Sequence, residues 1–318
     1  MRIDDAFVST AFRYFAATAE AGSIRAAARE LNIASSAVNR QILMLEEALG
    51  MQLFERTGRT MLLTEAGYVL LTQTKVSLQD YEDALGVIDE LRGLQRGRVR
   101  IATAESVSVN LLPKILADFS EKYPAIEILL TVTVADSVTE MVHAREADLG
   151  FTYNPTTLDG LEIGFEESIE VGAIVSPAHP LAKKKSVDLR DCFEHPYAYP
   201  ARGLSLRLAL DAAIDGFNKD DTRGKDKSSK IISKPILEAN SLRVMAAMAQ
   251  EGRCIAFQTR VGIEHHLKSG TLKFLPLTDK SLPRDRLMLI RQSARTPSPA
   301  TQMFESHVVE HLKQHPIN

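Results

Sequence analysis

Only two cysteines, Cys192 and Cys254, occur in 318 residues. They are too few and too far apart for a disulfide framework or a repeated metal-ligand pattern, and they read as buried thiols in a reducing compartment. No stretch approaches the roughly 20 apolar residues that cross a bilayer, and residues 1–5 carry acids where a leader needs a basic patch. The expected location is the cytoplasm. Catalytic signatures are missing too: there is no Gly-rich phosphate loop, no Gly-x-Ser-x-Gly elbow, no His-Glu-x-x-His and no Cys-x-x-Cys. His265 and His266 adjoin, cannot easily face one metal together, and are read as solvated. The chain is expected to be no enzyme and to hold no cofactor or metal. A formal net charge of −3 gives no global attraction to nucleic acid, so any DNA affinity depends on where individual arginines sit.

What is present is ordinary globular composition, 45% hydrophobic and 25% charged, with length for two or more domains. Asp4 and Asp5 favour a helix start, because carboxylates accept from the free N–H groups there, and Phe7, Phe12, Phe15, Ala16 and Ala19 recur at helical spacing until Gly22 stops the pattern. Ser23 can cap a second helix, whose small residues Ala26, Ala27 and Ala28 permit close approach, and Leu31 points inward ahead of a turn at Asn32 and Ile33. Ser35 or Ser36 can cap a third helix, on which Val38, Ile42, Leu45 and Leu49 form one apolar stripe. Ser36, Asn39 and Arg40 then point the other way. Any solvated face is polar, but these residues occupy the first turns after a helix-turn-helix corner, the part of a recognition helix that reaches base edges. Beyond Gly50, Leu53 and Phe54 can anchor a β-wing whose Arg56 and Arg59 flank Gly58 and face phosphates; without the preceding helices it would read equally as an exposed hairpin.

The run Arg13-Tyr14-Phe15, Gly22-Ser23, Ala26-Ala27-Ala28, Ser36-Ala37-Val38, Arg40-Gln41-Ile42, Leu49-Gly50, Leu53-Phe54-Glu55-Arg56 and Leu63-Thr64-Glu65-Ala66-Gly67 resembles the winged helix-turn-helix of the LysR-type transcriptional regulators. Asn39 stands where that family usually has serine, and Leu43 where a basic residue is common. The first implies a different base preference and the second removes one phosphate contact. The candidate DNA-binding residues are Ser23, Arg25, Ser35, Ser36, Asn39, Arg40, Arg56 and Arg59.

Residues 64–95 contain no proline and read as one long helix. Leu70, Ala84 and Leu91 share one heptad position and Tyr81 and Ile88 the other, with Thr74 and Ser77 weakening the seam. The resemblance implies a dimerising linker; by itself the pattern also suits one amphipathic helix packed on its own domain.

From residue 97 onward strands and helices alternate: strands at 99–102, 126–134 and 148–153 with helices at 111–123 and 138–146, then a second run from 170 to 257, a return through 272–277 and 286–290, and a closing helix at 299–314. The order of the first run, residues 99–153, predicts a mostly parallel α/β sheet. Together with Asn110-Leu111-Leu112-Pro113, Tyr123-Pro124, Ala147-Asp148-Leu149-Gly150 and Ser176-Pro177-Ala178-His179-Pro180-Leu181, the pattern resembles the two-lobed, periplasmic-binding-protein-like (type 2) effector domain of the same family. The expected organisation is therefore a winged helix-turn-helix at 1–64, a linker helix at 65–96 and an effector domain at 97–318, with lobe 1 at about 97–168 and 272–318 and lobe 2 at about 169–271.

In open parallel sheets ligands bind beyond the carboxyl ends of strands, where helix N-termini offer unpaired N–H groups. That places the effector candidates at Glu105, Ser106, Ser108, Ala135, Thr152 and Tyr153 in the first lobe, and Arg202, Ser205, Asn240, Ser241 and Gln258 in the second, with Asp136, Gly203 and Thr259 beside them. Arg202 and the helix ends favour a carboxylate, and Glu105 or Asp136 could take an amino or hydroxyl group. A small carboxylate or amino acid is the expected effector. The resemblance further implies a homodimer or homotetramer on double-stranded promoter DNA, in contact with RNA polymerase and not with a membrane. Residues 218–234, dense in Lys, Asp and Ser, are expected to form a mobile insertion, and Lys183-Lys184-Lys185 a solvated turn. Two other readings share these features: a periplasmic solute receptor, which would need a leader, and a DNA-organising protein that answers to no metabolite.

Overall fold

The computed structural model describes residues 9–57, 60–221 and 234–317, and the expected helix start at Asp4 and Asp5, with Phe7, lies outside the described residues. They form two compact units, 1–94 and 95–318.

In the first unit, α1 (Thr10–Ala21), α2 (Ile24–Glu30) and α3 (Ser35–Leu49) pack on a hairpin of β1 (Phe54–Thr57) and β2 (Thr60–Leu63), and α4 (Glu65–Leu91) follows. The centre is Phe15, Ala28, Val38, Ile42, Leu53 and Phe54, with the Phe15 and Phe54 rings 5.4 Å apart. The stripe on α3 is buried at Val38 and Ile42, but Leu49 is 48% exposed. It lies in the last helical turn, and the following segment is held instead by the Glu46 carboxylate, which accepts from the N–H groups of Leu53 (2.9 Å) and Phe54 (3.3 Å). Ser23 caps α2 as expected, accepting from the Ala26 N–H at 3.2 Å. The cap of α3 is different: Ala34 takes the position, with no side-chain bond, and Ser35 and Ser36 are the first two helical residues.

Thr64 caps α4 by accepting from the Gly67 N–H at 3.0 Å. Gly67 is dictated by packing, since a Cβ there would lie 2.2 Å from the Leu53 carbonyl oxygen. The 27 residues of α4 end at Leu91 rather than 95, a rod of about 40 Å at 1.5 Å per residue. Its first turns join the core through Ala66, Leu70 and Leu71. Farther along, Val87, Ile88 and Leu91 are exposed, Leu91 by 83%.

The second unit has two lobes. Lobe 1 holds a five-stranded sheet in the order β4-β3-β5-β12-β6. It comprises β3 (Gly97–Ala104), β4 (Ile126–Thr133), β5 (Leu149–Tyr153), β6 (Leu161–Ile169) and β12 (Asp285–Gln292). β3 is parallel to β4 and β5, whereas β12 is antiparallel to β5 and β6. Helices α5 (Glu105–Lys122), α6 (Ala135–His143) and α11 (Pro299–Gln314) belong to this lobe. Phe119 of α5 meets Phe304 of α11 edge-on at 5.0 Å.

Lobe 2 centres on β10 (Ala256–Thr259), β7 (Val171–Val175) and β11 (Lys273–Pro276). It also carries α7 (Leu189–Phe193), a parallel pair β8 (Ala198–Pro200) and β9 (Leu237–Ala239), α8 (Ser205–Asp221), α9 (Leu242–Gln250) and α10 (Glu264–Lys268). The three-stranded sheet is antiparallel throughout, so the parallel pairing expected of residues 99–153 is found among β3, β4 and β5 of lobe 1 and does not extend to this sheet of lobe 2. Every residue of β7 is buried, and a strand covered on both faces reads as an unbroken apolar run whichever way its neighbours point. Because β11 pairs with β7, residues 273–276 belong to lobe 2, and the second crossover falls between Pro276 and Asp285 rather than at 271–272. Of the expected insertion at 218–234, residues 218–221 belong to α8, which continues to Asp221, and residues 222–233 lie outside the described residues.

Candidate functional site

On the first unit, the corner between α2 and α3 carries a polar ridge. Arg25, Ser35, Ser36 and Arg40 are exposed and Asn39 is half-buried, while Val38 and Ile42 on the opposite side are fully buried. Helical geometry thus presents hydroxyl, amide and guanidinium groups on one side of α3, the side-chain chemistry that reads base edges. The Ser23 hydroxyl accepts the capping bond at the same corner and keeps its O–H to donate. The Arg56 backbone lies in β1 opposite Met61, and the Met61 N–H donates to the Gly22 carbonyl at 3.0 Å, fixing the hairpin to the end of α1. Arg59 lies outside the described residues.

On the second unit, a cavity of about 350 Å³ opens between the lobes. The first residues of four helices face it: Glu105 of α5, Ala135 of α6, Ser205 of α8 and Leu242 of α9. Neither α5 nor α6 has a side-chain cap, Ala104 and Val134 standing at their N-cap positions, so their first N–H groups carry the positive end of the helix dipole toward the cavity with no capping side chain. None of the described residues lining the cavity is basic. Two are acids, Glu105 and Asp285.

Glu105 is already engaged across the cleft. One carboxylate oxygen accepts from the Ser241 hydroxyl at 2.9 Å and the other from the Leu242 N–H at 2.6 Å. A first-lobe side chain therefore caps a second-lobe helix. The same seam continues along α5, where the Asn110 amide approaches the Val261 carbonyl at 3.5 Å and Lys114 pairs with Glu264 at 2.9 Å.

Of the expected effector residues, Glu105, Ser106, Ala135, Tyr153, Ser205, Asn240 and Ser241 line this one cavity, as does Thr259. Four others stand back from it. The Ser108 hydroxyl turns to the Glu105 carbonyl (2.7 Å), and that of Thr152 to the Ala135 carbonyl (2.9 Å). Gln258 is buried and donates to the Leu242 carbonyl at 2.5 Å. Arg202 sits on an exposed turn and is not part of the lining. Sequence reasoning missed Val132 to Val134, Leu204, Leu206 and Asp285, all in the lining. The apolar ones gave no chemical signal, and Asp285, between two arginines, read as a surface residue.

The comparisons with known proteins agree with both units. Residues 9–68 match the family described as bacterial regulatory helix-turn-helix protein, lysR family, and residues 92–313 match the LysR substrate-binding domain. The chain belongs to the LysR family of transcriptional regulators. A helix-turn-helix transcriptional regulator of Mycobacterium bovis is 30% identical over 294 residues, covering 91% of each chain. The transcriptional activator CmpR of Synechocystis is 32% identical over 202 residues, 63% of this chain and 66% of that one. Among solved structures, full-length CbnR complexed with its target DNA aligns over 96% of this chain and 98% of that one, at TM-score 0.64 and 20% identity. This LysR-type regulator is therefore a DNA-binding transcriptional regulator with a winged helix-turn-helix and a substrate-binding domain of mixed α/β fold. Among the described residues, no helix is long and apolar enough to cross a membrane.

Proposed function

We propose that this regulator binds paired half-sites in promoter DNA as a homodimer or homotetramer, and that a small carboxylate held between the lobes of its second unit controls that binding. On this reading residues 1–64 read DNA, 65–96 join protomers and 97–318 sense the effector. Ser36, Asn39 and Arg40 would meet base edges, with Ser35 and Arg25 beside them, and Arg56 and Arg59 would meet phosphates. CbnR has been solved with its target DNA, and the same placement is proposed here. The exposed Val87, Ile88 and Leu91 of α4 supply an apolar surface for a second protomer. Tethering then makes the second half-site contact intramolecular, which raises avidity with no new contact.

The observation that carries the effector reading is the convergence of four helix N-termini on one cavity with no basic side chain in its lining. Uncapped N–H groups on α5 and α6 favour an anion, and the volume suits a small metabolite. The effector-binding domain of QuiR, solved with shikimate, aligns over 69% of this chain at TM-score 0.56; shikimate is a small carboxylate, the class proposed here. An acid bound at these helix ends would change how the lobes close, and with it the spacing of protomers on DNA and contact with RNA polymerase. Thermal shift of the full chain against organic acids and amino acids tests this. Stabilisation by carboxylates supports it, and a response confined to uncharged aromatic compounds contradicts it.

A further inference from the structure

Asp285 is the first residue of β12, only 3% exposed, and lines the interlobe cavity. One of its oxygens, Oδ1, accepts from the Asn154 side-chain amide at 2.7 Å. Asn154 is fixed for that task. Its backbone has φ +41°, in the left-handed region that asparagine tolerates better than most residues. Its Oδ1 accepts from the Arg286 N–H at 3.0 Å, and its own N–H donates to the Arg286 carbonyl at 3.2 Å. The amide is thus locked with its NH2 group toward Asp285.

No cation answers Asp285 from the lining, and burial pushes its carboxyl up to about 6, opposed only by the Asn154 hydrogen bond. Above that pH it is a buried anion with one donor, in a wall that also holds the Tyr153 phenol. That phenol oxygen receives the Ser106 hydroxyl at 3.0 Å. The other acid in the lining, Glu105, has both oxygens engaged by Ser241 and Leu242. Asp285 is therefore the acid left to recognise a ligand.

We infer that Asp285 is a specificity-determining residue that receives an ammonium group, so that the effector is a zwitterion with its carboxylate at the N-termini of α5 and α6 and its amine at β12. This rests on the effector reading above and sharpens it. An ammonium neutralises the buried charge as well as donating to it, whereas a hydroxyl only donates and a hydrocarbon leaves the anion uncompensated. Selectivity should follow that order.

The test titrates the full-length protein by calorimetry at pH 7.5 with matched series on one skeleton: norvaline, 2-hydroxypentanoate and pentanoate, then phenylalanine, phenyllactate and hydrocinnamate. In at least one series the amino acid should bind at least tenfold more tightly than the hydroxy acid, and the plain acid most weakly. Asp285→Asn keeps the shape and the bond to Asn154. It should lower the amino acid's affinity at least tenfold while changing the plain acid's less than twofold. Circular dichroism and promoter binding check that the variant folds, and should it not, the wild-type ranking decides alone. Plain acids binding as tightly as amino acids, or an Asp285→Asn variant that binds them like the parent, overturns the inference and leaves the carboxylate reading standing. Binding of no member of either series overturns both.

Discussion

Asp285→Asn should also stabilise the protein in the absence of any ligand, by an amount that depends on pH. The carboxyl titrates near its ordinary 3.8 when the chain is unfolded and at about 6 when folded. The folded state therefore holds its proton more tightly, and stability from this group falls as pH rises from about 4 to 6 and is then constant. A rise of about two pH units, at about 1.36 kcal/mol per pH unit, gives a penalty of about 3 kcal/mol at pH 7.5. Between the two values it is smaller, roughly half as large at pH 5. Asparagine cannot ionise, so the variant escapes the penalty. Urea unfolding of parent and variant, followed by circular dichroism at pH 7.5 and pH 5, reads the difference directly. Comparing the two proteins at each pH cancels the titration of all other groups. A gain of roughly 3 kcal/mol at pH 7.5 that shrinks by about half at pH 5 is expected. No gain at pH 7.5, or the same gain at both, would refute the idea that a buried, uncompensated carboxylate faces the cavity.

Arg40→Ala should relax base specificity and cost about 1–3 kcal/mol on the preferred site, measured by anisotropy against cognate and scrambled duplexes; equal loss on both would remove Arg40 from base readout. Arg56→Ala should weaken all sequences alike and flatten the dependence of affinity on salt, and an unchanged slope contradicts a phosphate contact. Gly67→Ala forces a methyl group to within 2.2 Å of the Leu53 carbonyl and should destabilise the first unit by about 1–3 kcal/mol. Promoter binding would then suffer at 37 °C while ligand titrations stay as in the parent. Glu105→Gln weakens both bonds to Ser241 and Leu242, a loss of about 1–2 kcal/mol. A lower melting temperature for the second unit and a larger radius of gyration in solution scattering are expected, and no change in either would mean that these bonds do not hold the lobes together.

Much of the first unit was legible because its signals are local. The Val38 and Ile42 stripe, the Ser23 cap and the glycine after α3 each follow from a few neighbouring residues. The errors there arose at helix ends, where Leu49 keeps the period yet loses its partner surface and where backbone geometry, not hydroxyl content, chose Ala34 as the cap. The cavity was located by the rule that helix N-termini gather beyond the carboxyl ends of parallel strands. The same rule concealed Asp285. β12 runs antiparallel to β5, with Leu287 opposite Tyr153, so its amino end reaches the cleft where its neighbours present carboxyl ends. That reversal depends on a crossover more than a hundred residues after β5 in the chain, and no local pattern in Arg284-Asp285-Arg286 announces it.

The central claim is that the polar side of α3 reads DNA sequence. Incubating the purified protein with sheared genomic DNA from its own source, sequencing the retained fragments and repeating with Arg40→Ala tests it most directly. The account predicts a small set of fragments sharing paired half-sites, enriched by the parent and lost or broadened with the variant. Retention no different from random competitor DNA, or identical fragment sets from both proteins, would contradict it.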